Sequence, residues 1–499
     1  MSRFLHALAL AASLASASAC AGTPASVAPP TAPATSSQAV APSQSFAPTR
    51  AQLAFLDDVQ ERTFRWFWDL ADPHTGLVPD RWPTESFASV AATGFGLTAY
   101  PVGVERGWIT REQARARVLL TLRFLWSAPQ GPDATGVAGY RGFFYHFLVP
   151  STGMRFEKVE LSTIDTTLLL AGALFCGEYF DRDDPDEREI RRLATGLYER
   201  VEWDWARPRP ARIGMGWHPE KGFIESDWHG YDEAMVLYLL ALGSPTHPID
   251  PAAWDAWTSS YKFLPFQGYE YVAFAPLFGH HYSHVWVDFR GIRDAYMRGR
   301  GLDYFENSRR ATLAQRAWAI ANPRGWQDLG PDIWGVSACD GPADVRQVVN
   351  GELRLFFTYA GRGVGADFVN DDGTLTPTAA GGSVPFAPEV AIPALMTMRE
   401  RYGEPLYGKY GFLDAFNPTF RFDVRVHHGR VVPGIGWFDT DYLGIDQGPI
   451  LEMIENYRSG LIWRLMRRNG PLRRGLERAG FAGGWLSVPP PERPVAPAR

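Results

Sequence analysis

Two kinds of apolar pattern alternate along this chain, and together they leave few ways to fold it. Residues 52–71, 110–126, 185–203 and 302–321 carry charged side chains along one side, the pattern of helices with a wet face. Between them, residues 87–100, 161–180, 230–242, 285–297, 388–398 and 445–466 are apolar or aromatic nearly all round. A helix dry on every side belongs inside a layer of others. Six inner helices ringed by six outer ones make an all-α toroid, the (α/α)6 barrel. In it one core serves a chain longer than an ordinary single domain. The segment between residues 402 and 441, where an outer partner is needed, reads mostly as loop.

The pattern bounds one catalytic domain at 49–485. Ahead of it, residues 1–19 have one early Arg, a short apolar run and small residues before Cys20, which predicts a secretory signal. Ala17-Ser18-Ala19 fits ordinary signal-peptidase cleavage and Cys20 also fits a lipoprotein acceptor, so export to the periplasm or the outer membrane is expected, with a lipid anchor through Cys20 as one of two open alternatives. Residues 20–48 are a Pro/Ala-rich linker, and 486–499 are expected to be a disordered tail. Cys176 lies in an apolar helix and Cys339 is its only other companion, so no disulfide framework or Cys-based metal site is expected. A net charge of −6 and a pI near 6.0 give no basic footprint and argue against nucleic acid.

The segment from Gly214 to Pro248 is a Gly-, Trp- and His-rich loop that turns into the apolar run Ala234–Leu242. Tyr231, Asp232 and Glu233 then fall in the first turn of a buried helix. Each inner helix repeats the theme. Glu85 precedes the first, Asp165 starts the second and Glu233 the third; Asp288, Glu389 and Asp446 fall in the first turns of the fourth, fifth and sixth. Singly, each fits the helix dipole. Inner helices of such a barrel run the same way, so the six acids are expected to ring one mouth. There their mutual repulsion would raise some pKa values and separate an acid from a base. Trp82, Tyr145, Trp217, Trp228, Trp286, Trp334 and Trp437 are expected as aromatic walls, since sugar rings offer C–H faces to aromatic planes.

Other motifs carry less. His280, His281 and His284 lack the Glu of a zinc HExxH and are read as hydrogen-bonding groups at the mouth. No G-x-S-x-G elbow occurs, and Gly361-x-Gly363-x-Gly365 opens no helix.

YRGFFYHFL at 140–148, ELSTIDTTLLLAGALF at 160–175, GYDEAMVLYLLALGSPTHPI at 230–249 and HYSHVWVDFRGIRDAYM at 281–297 resemble a known family. So do DYFENSRRATLAQRAWAIANP at 303–323, TAAGGSVPFAPEVAIPAL at 378–395 and YLGIDQGPILEMIENYRSGLIW at 442–463. The blocks are similar to the bacterial glucoamylase-like domain that includes the endo-β-1,2-glucanases of glycoside hydrolase family 144. The resemblance implies the (α/α)6 barrel, export, no cofactor, and hydrolysis of β-1,2-glucan with inversion. It implies Glu233 as general acid and Asp446 as base, with Asp441 as the rival, and Asp165 in the substrate cleft. Tyr145, Trp217, Trp228, Tyr231, Asp232, His284, Trp286, Asp288, Trp334, Glu389, Trp437 and Asp441 are the expected substrate-binding residues. A monomer acting on β-glucan is expected, with no metal. Residues 418–437 match no pattern of the family. Two other readings stay open: an exo-acting or transglycosylating enzyme on another β-glucan, and a non-catalytic glycan-binding lipoprotein. A uronate lyase needs a basic cleft, which this acidic mouth does not offer.

Overall fold

The computed structural model describes residues 46–489, so the expected signal segment, Cys20, residues 20–45 and residues 490–499 lie outside the described residues. Thr49 caps the first helix, Arg50–Leu70, with Gln52 completing a capping box.

The chain is helix-rich, and its inner and outer helices differ as their patterns predict. The six most deeply buried helices are Val90–Glu105, Thr163–Tyr179, Met235–Gly243, Tyr282–Trp286, Pro377–Gly381 and Gly444–Arg458. The first packs on the second and the second on the third, while the fifth packs on the sixth and the sixth returns to the first. Side chains make the two remaining joints. Ser283 Oγ accepts from Val236 N–H at 3.0 Å, and His281 Nε2 lies 2.9 Å from Ser383 Oγ. Against these lie Arg50–Leu70, Arg111–Ser127, Pro185–Glu199, Ala252–Thr258, Tyr304–Ala321 and Pro388–Tyr402, each with a solvent face.

Packing at the first two inner helices is at backbone distance. A Cβ on Gly94 would stand 2.4 Å from Leu168 O, and one on Gly172 2.1 Å from Gly94 O. Every side chain of Met235–Gly243 is buried. Each large aliphatic residue hidden there contributes about 1.5–3 kcal/mol of hydrophobic stabilisation.

Four inner helices depart from the sequence reading. The third starts at Met235, not Gly230: Gly230 holds φ +83°, and Asp232 Oδ1 accepts the Ala234 N–H at 2.9 Å, so Tyr231–Glu233 form a turn ahead of the helix. The fourth is Tyr282–Trp286 alone, because Val287 takes extended backbone. The expected fifth, Pro388–Tyr402, is an outer helix, and the buried one is Pro377–Gly381, whose five small residues carry no readable period. The sixth ends at Arg458, where Gly460 turns at φ +64°. An unforeseen helix, Gly470–Arg478, backs the third.

Short antiparallel pairs join the entries of the inner helices. Ala88–Ser89, before the first, pairs with Phe147–Leu148; Leu161–Ser162, before the second, pairs with Trp217 and Gly216; Tyr442–Leu443, before the sixth, pairs with Arg81–Trp82. The aromatic loops are thereby pinned to one end. Among the described residues no helix is long and apolar enough to cross a membrane.

Candidate active site

At the end where the inner helices begin stand two acidic groups and the phenol of Tyr282, the first residue of the fourth inner helix. The charges of Asp446, Glu233 and Asp165 all oppose the ionisation of this phenol.

The first group is built on the second and third inner helices. Burial pushes the Glu233 carboxyl up to about 7; its own backbone N–H opposes this and the Asp165 charge adds to it. Glu233 is half-buried, whereas its neighbour Asp232 is buried and pushed up by burial and by Glu233. The turn is held from behind by Trp228, whose Nε1 donates to Thr163 Oγ1 at 2.9 Å, and by Tyr231, stacked on Tyr304. Asp165 sits in a chain of its own. Ser162 Oγ donates to it, and His146 Nε2 stands 3.4 Å from Oδ1, while His146 Nδ1 lies 2.7 Å from Glu160 Oε1. Burial opposes the imidazolium, yet Asp165 and Glu160 together push His146 up to about 9. Opposite charges within a few ångströms favour the charged form.

The second group gathers Asp340, Asp414, Asp439, Asp441 and Asp446, all buried. Arg81 is the cation among them, 2.7 Å from Asp340 Oδ2 and 3.4 Å from Asp441 Oδ2. Thr84 N–H donates to Asp441 Oδ1 at 3.1 Å, and Asp340 N–H donates to Asp414 Oδ2 at 2.8 Å. Asp446 and Asp414 form a side-chain hydrogen bond when one of the two carboxyls is protonated. Burial, the Asp414 charge and that bond push Asp446 well up, and burial with Asp340 pushes Asp414 up to about 7. The helix N-terminus was expected to favour charged Asp446; burial beside like charges outweighs it here. The space beside Gly444 and Gly448, which flank Asp446, is filled. A Cβ on either would strike Trp66 or Phe95, at 2.6 and 2.3 Å. Asp340, Asp414 and Asp439 each offer a carboxylate oxygen within 4.8 Å of the others, and oxygens of Asp340 and Asp441 lie within the same distance of each other and of a ring nitrogen of His428. These are the residues that could hold a hard cation.

The remaining expected residues scatter. Asp288 follows the end of its helix and is bound by Arg290 and Arg467. Glu389 pairs with Arg309, and its charge reaches Tyr457 in the last turn of the sixth inner helix. Both therefore lie at the opposite end from Asp446, because their helices differ from the expected ones. Glu85 is exposed in a loop. His284 is a neutral core histidine between Phe289 and Phe386, 3.1 Å from Ser308 Oγ, and His280 and His281 are likewise buried and pushed down by burial. Of the expected aromatic walls, Trp82 and Trp217 keep exposed surface. Tyr145 lies under Arg155, Trp286 donates Nε1–H to Thr98, Trp437 donates to His428 O, and Trp334 is buried. They brace the loops from inside. Sequence reasoning missed His146, Arg81, Asp340, Asp414 and Asp439. Only the FDTD spacing of Asp439 to Asp441 offered a signal; the others stand in loops without period.

The comparisons agree on one family. The putative glucoamylase family model matches residues 225–470. A crystal structure of a putative glucoamylase from Bacteroides uniformis is 32% identical, covering 88% of this chain and 100% of its own, with TM-score 0.74. The chain belongs to the glucoamylase-like glycoside hydrolases. An endo-β-1,2-glucanase from Chitinophaga pinensis, solved with sophorotriose and glucose, is 29% identical over 87% of this chain and 99% of its own, with TM-score 0.74. An exo β-1,2-glucooligosaccharide sophorohydrolase from Parabacteroides distasonis is 28% identical over 457 residues, 85% of this chain. The chain spans 57% of that curated relative's length.

Proposed function

We propose that this glucoamylase-like chain hydrolyses β-1,2-glucan as an endo-β-1,2-glucanase, with inversion at the anomeric carbon. The observation that carries this is Glu233, a half-buried carboxyl raised to about 7, at the same end of the inner helices as a buried carboxyl cluster, in a family with β-1,2-glucan-cleaving relatives. The return of the sixth inner helix to the first supports an (α/α)6 barrel as the frame.

In this reading Glu233 is the general acid. Near neutral pH it retains a proton to give to the leaving oxygen, and the Asp165 charge helps it do so. Asp446 is the base on the other face, drawing a proton from water into the pair it forms with Asp414. Of two hydrogen-bonded carboxyls, one ionises before the other, so the pair keeps one acceptor while holding a proton. Inversion calls for roughly 6.5–9.5 Å between acid and base, or more where a sugar hydroxyl relays the proton. Asp441, held by Arg81 and the Thr84 N–H, is the rival base. The reading includes export by residues 1–19, anchoring through Cys20 and action as a monomer.

A second reading is exo action. The near-complete burial of Asp165, Asp441 and Asp446 favours a closed pocket over an open groove, and the curated relative is an exo enzyme. Product analysis on linear β-1,2-, β-1,3- and β-1,4-glucans tests both. A ladder of β-1,2-oligosaccharides supports endo action, and one short product from the outset supports exo action. Cleavage of only the other glucans defeats the assignment.

A further inference from the structure

Tyr282 opens the fourth inner helix and takes no part in the steps above. Its ring is fixed on two sides, edge-on to Phe95 at 5.7 Å and tilted against Phe278 at 5.3 Å. Phe95 in turn lies on Gly448, where a Cβ would come within 2.3 Å of the ring, and Gly448 is two residues beyond Asp446. On the other side, Ser283 donates its hydroxyl to the Glu233 carbonyl at 2.9 Å. Packing thus ties Tyr282 to the Asp446 helix, and a hydrogen bond through its neighbour ties it to the Glu233 turn.

The Tyr282 hydroxyl makes no hydrogen bond to any described residue, although the residue is only 6% exposed. With no protein partner, the hydroxyl keeps part of the small surface left to the residue, where a ligand can reach it. A phenol at the same end as both carboxyl groups, neutral because burial and the charges of Asp446, Glu233 and Asp165 oppose its ionisation, is a donor without a protein acceptor. The acceptor it lacks is of the kind a sugar supplies. Tyr359, the other phenol facing Asp446, is likewise held neutral by burial and the charges of Asp446, Asp414 and Asp340.

We propose that Tyr282 is a catalytic residue, donating its O–H to an oxygen of the glucosyl unit held between Glu233 and Asp446. This rests on the functional reading above. No covalent step passes through the phenol; it fixes the sugar so that acid and water meet the same anomeric carbon from opposite faces.

Steady-state kinetics of the wild type and Tyr282→Phe on linear β-1,2-glucan, with thermal melts of both, form the test. The Phe ring keeps its contacts with Phe95 and Phe278, so the melting temperature is expected to hold while kcat/KM falls about 10–100-fold, chiefly in kcat. Wild-type kinetics in the variant overturn the proposal. A clear loss of melting temperature also overturns it, because the hydroxyl then has a structural partner. Where the wild type cleaves β-1,3- or β-1,4-glucan instead, the functional reading fails alone and the same comparison runs on that substrate. A wild type that cleaves none of the three overturns both.

Discussion

His146 Nε2 lies 3.4 Å from Asp165 Oδ1 while its Nδ1 faces Glu160, so one half-buried imidazolium holds two carboxylates beside the mouth. Its backbone does related work: Val90 N–H donates to His146 O and His146 N–H to Glu160 O, joining the entries of the first two inner helices.

This arrangement makes stability depend on pH. The His146 pKa is about 9 in the fold and about 6.5 in an unfolded chain. The fold therefore binds the extra proton, and the stabilisation is complete below about pH 6.5 and lost as pH rises through 9. His146→Gln is expected to cost about 3 kcal/mol at pH 6 and much less at pH 9.5. Urea titrations at the two pH values check this; an equal cost at both contradicts it.

Glu452 is a second such group. It is fully buried, both carboxyl oxygens lack partners, and burial alone pushes it well up. An unfolded Glu ionises near pH 4.3 while this one stays protonated, so its penalty on stability grows as pH rises above that value. Glu452→Gln is expected to flatten the fall in melting temperature between pH 5 and 8. A Gln variant with the wild-type slope would show that Glu452 ionises in the fold.

Arg362 is buried and forks onto Asp372, while also donating to the carbonyls of Cys339, Phe357 and Thr358. It thereby fixes the loop that carries Asp340. Lysine has no fork to replace these bonds, so Arg362→Lys is expected to destabilise by about 3–5 kcal/mol. Denaturant midpoints measure this, and a loss below 1 kcal/mol would speak against it.

The base assignment separates two residues. Asp446→Asn is expected to lower kcat about 10²–10⁴-fold. Asp441→Asn removes one of the carboxylates that hold Arg81, leaving Asp340, and is expected to weaken substrate binding more than turnover. Michaelis constants for both variants decide; the reverse pattern makes Asp441 the base.

Much of the frame was legible because burial leaves its mark on composition. VLYLLALG is dry all round and lies inside, while PDEREIRRLATGLYE has one dry face and lies outside. The fifth inner helix was hidden because PTAAG is too short and too small to show a period. That shift carried Glu389 to the far end, as the break after Trp286 carried Asp288. Glu233, Asp165 and Asp446 stood out because each adjoins a long apolar run. Asp340, Asp414, Arg81 and His146 reach the mouth through loops pinned by two-residue strands, and their meeting is a tertiary fact that no local pattern encodes.

The anomeric configuration of the first products from linear β-1,2-glucan, followed by proton NMR for the wild type and Glu233→Gln, tests the two-carboxylate account most directly. The account predicts that the wild type releases the α-anomer first, and that Glu233→Gln keeps the fold while turnover falls about 10²–10⁴-fold. Initial release of the β-anomer, or a Gln variant as active as the wild type, would contradict it.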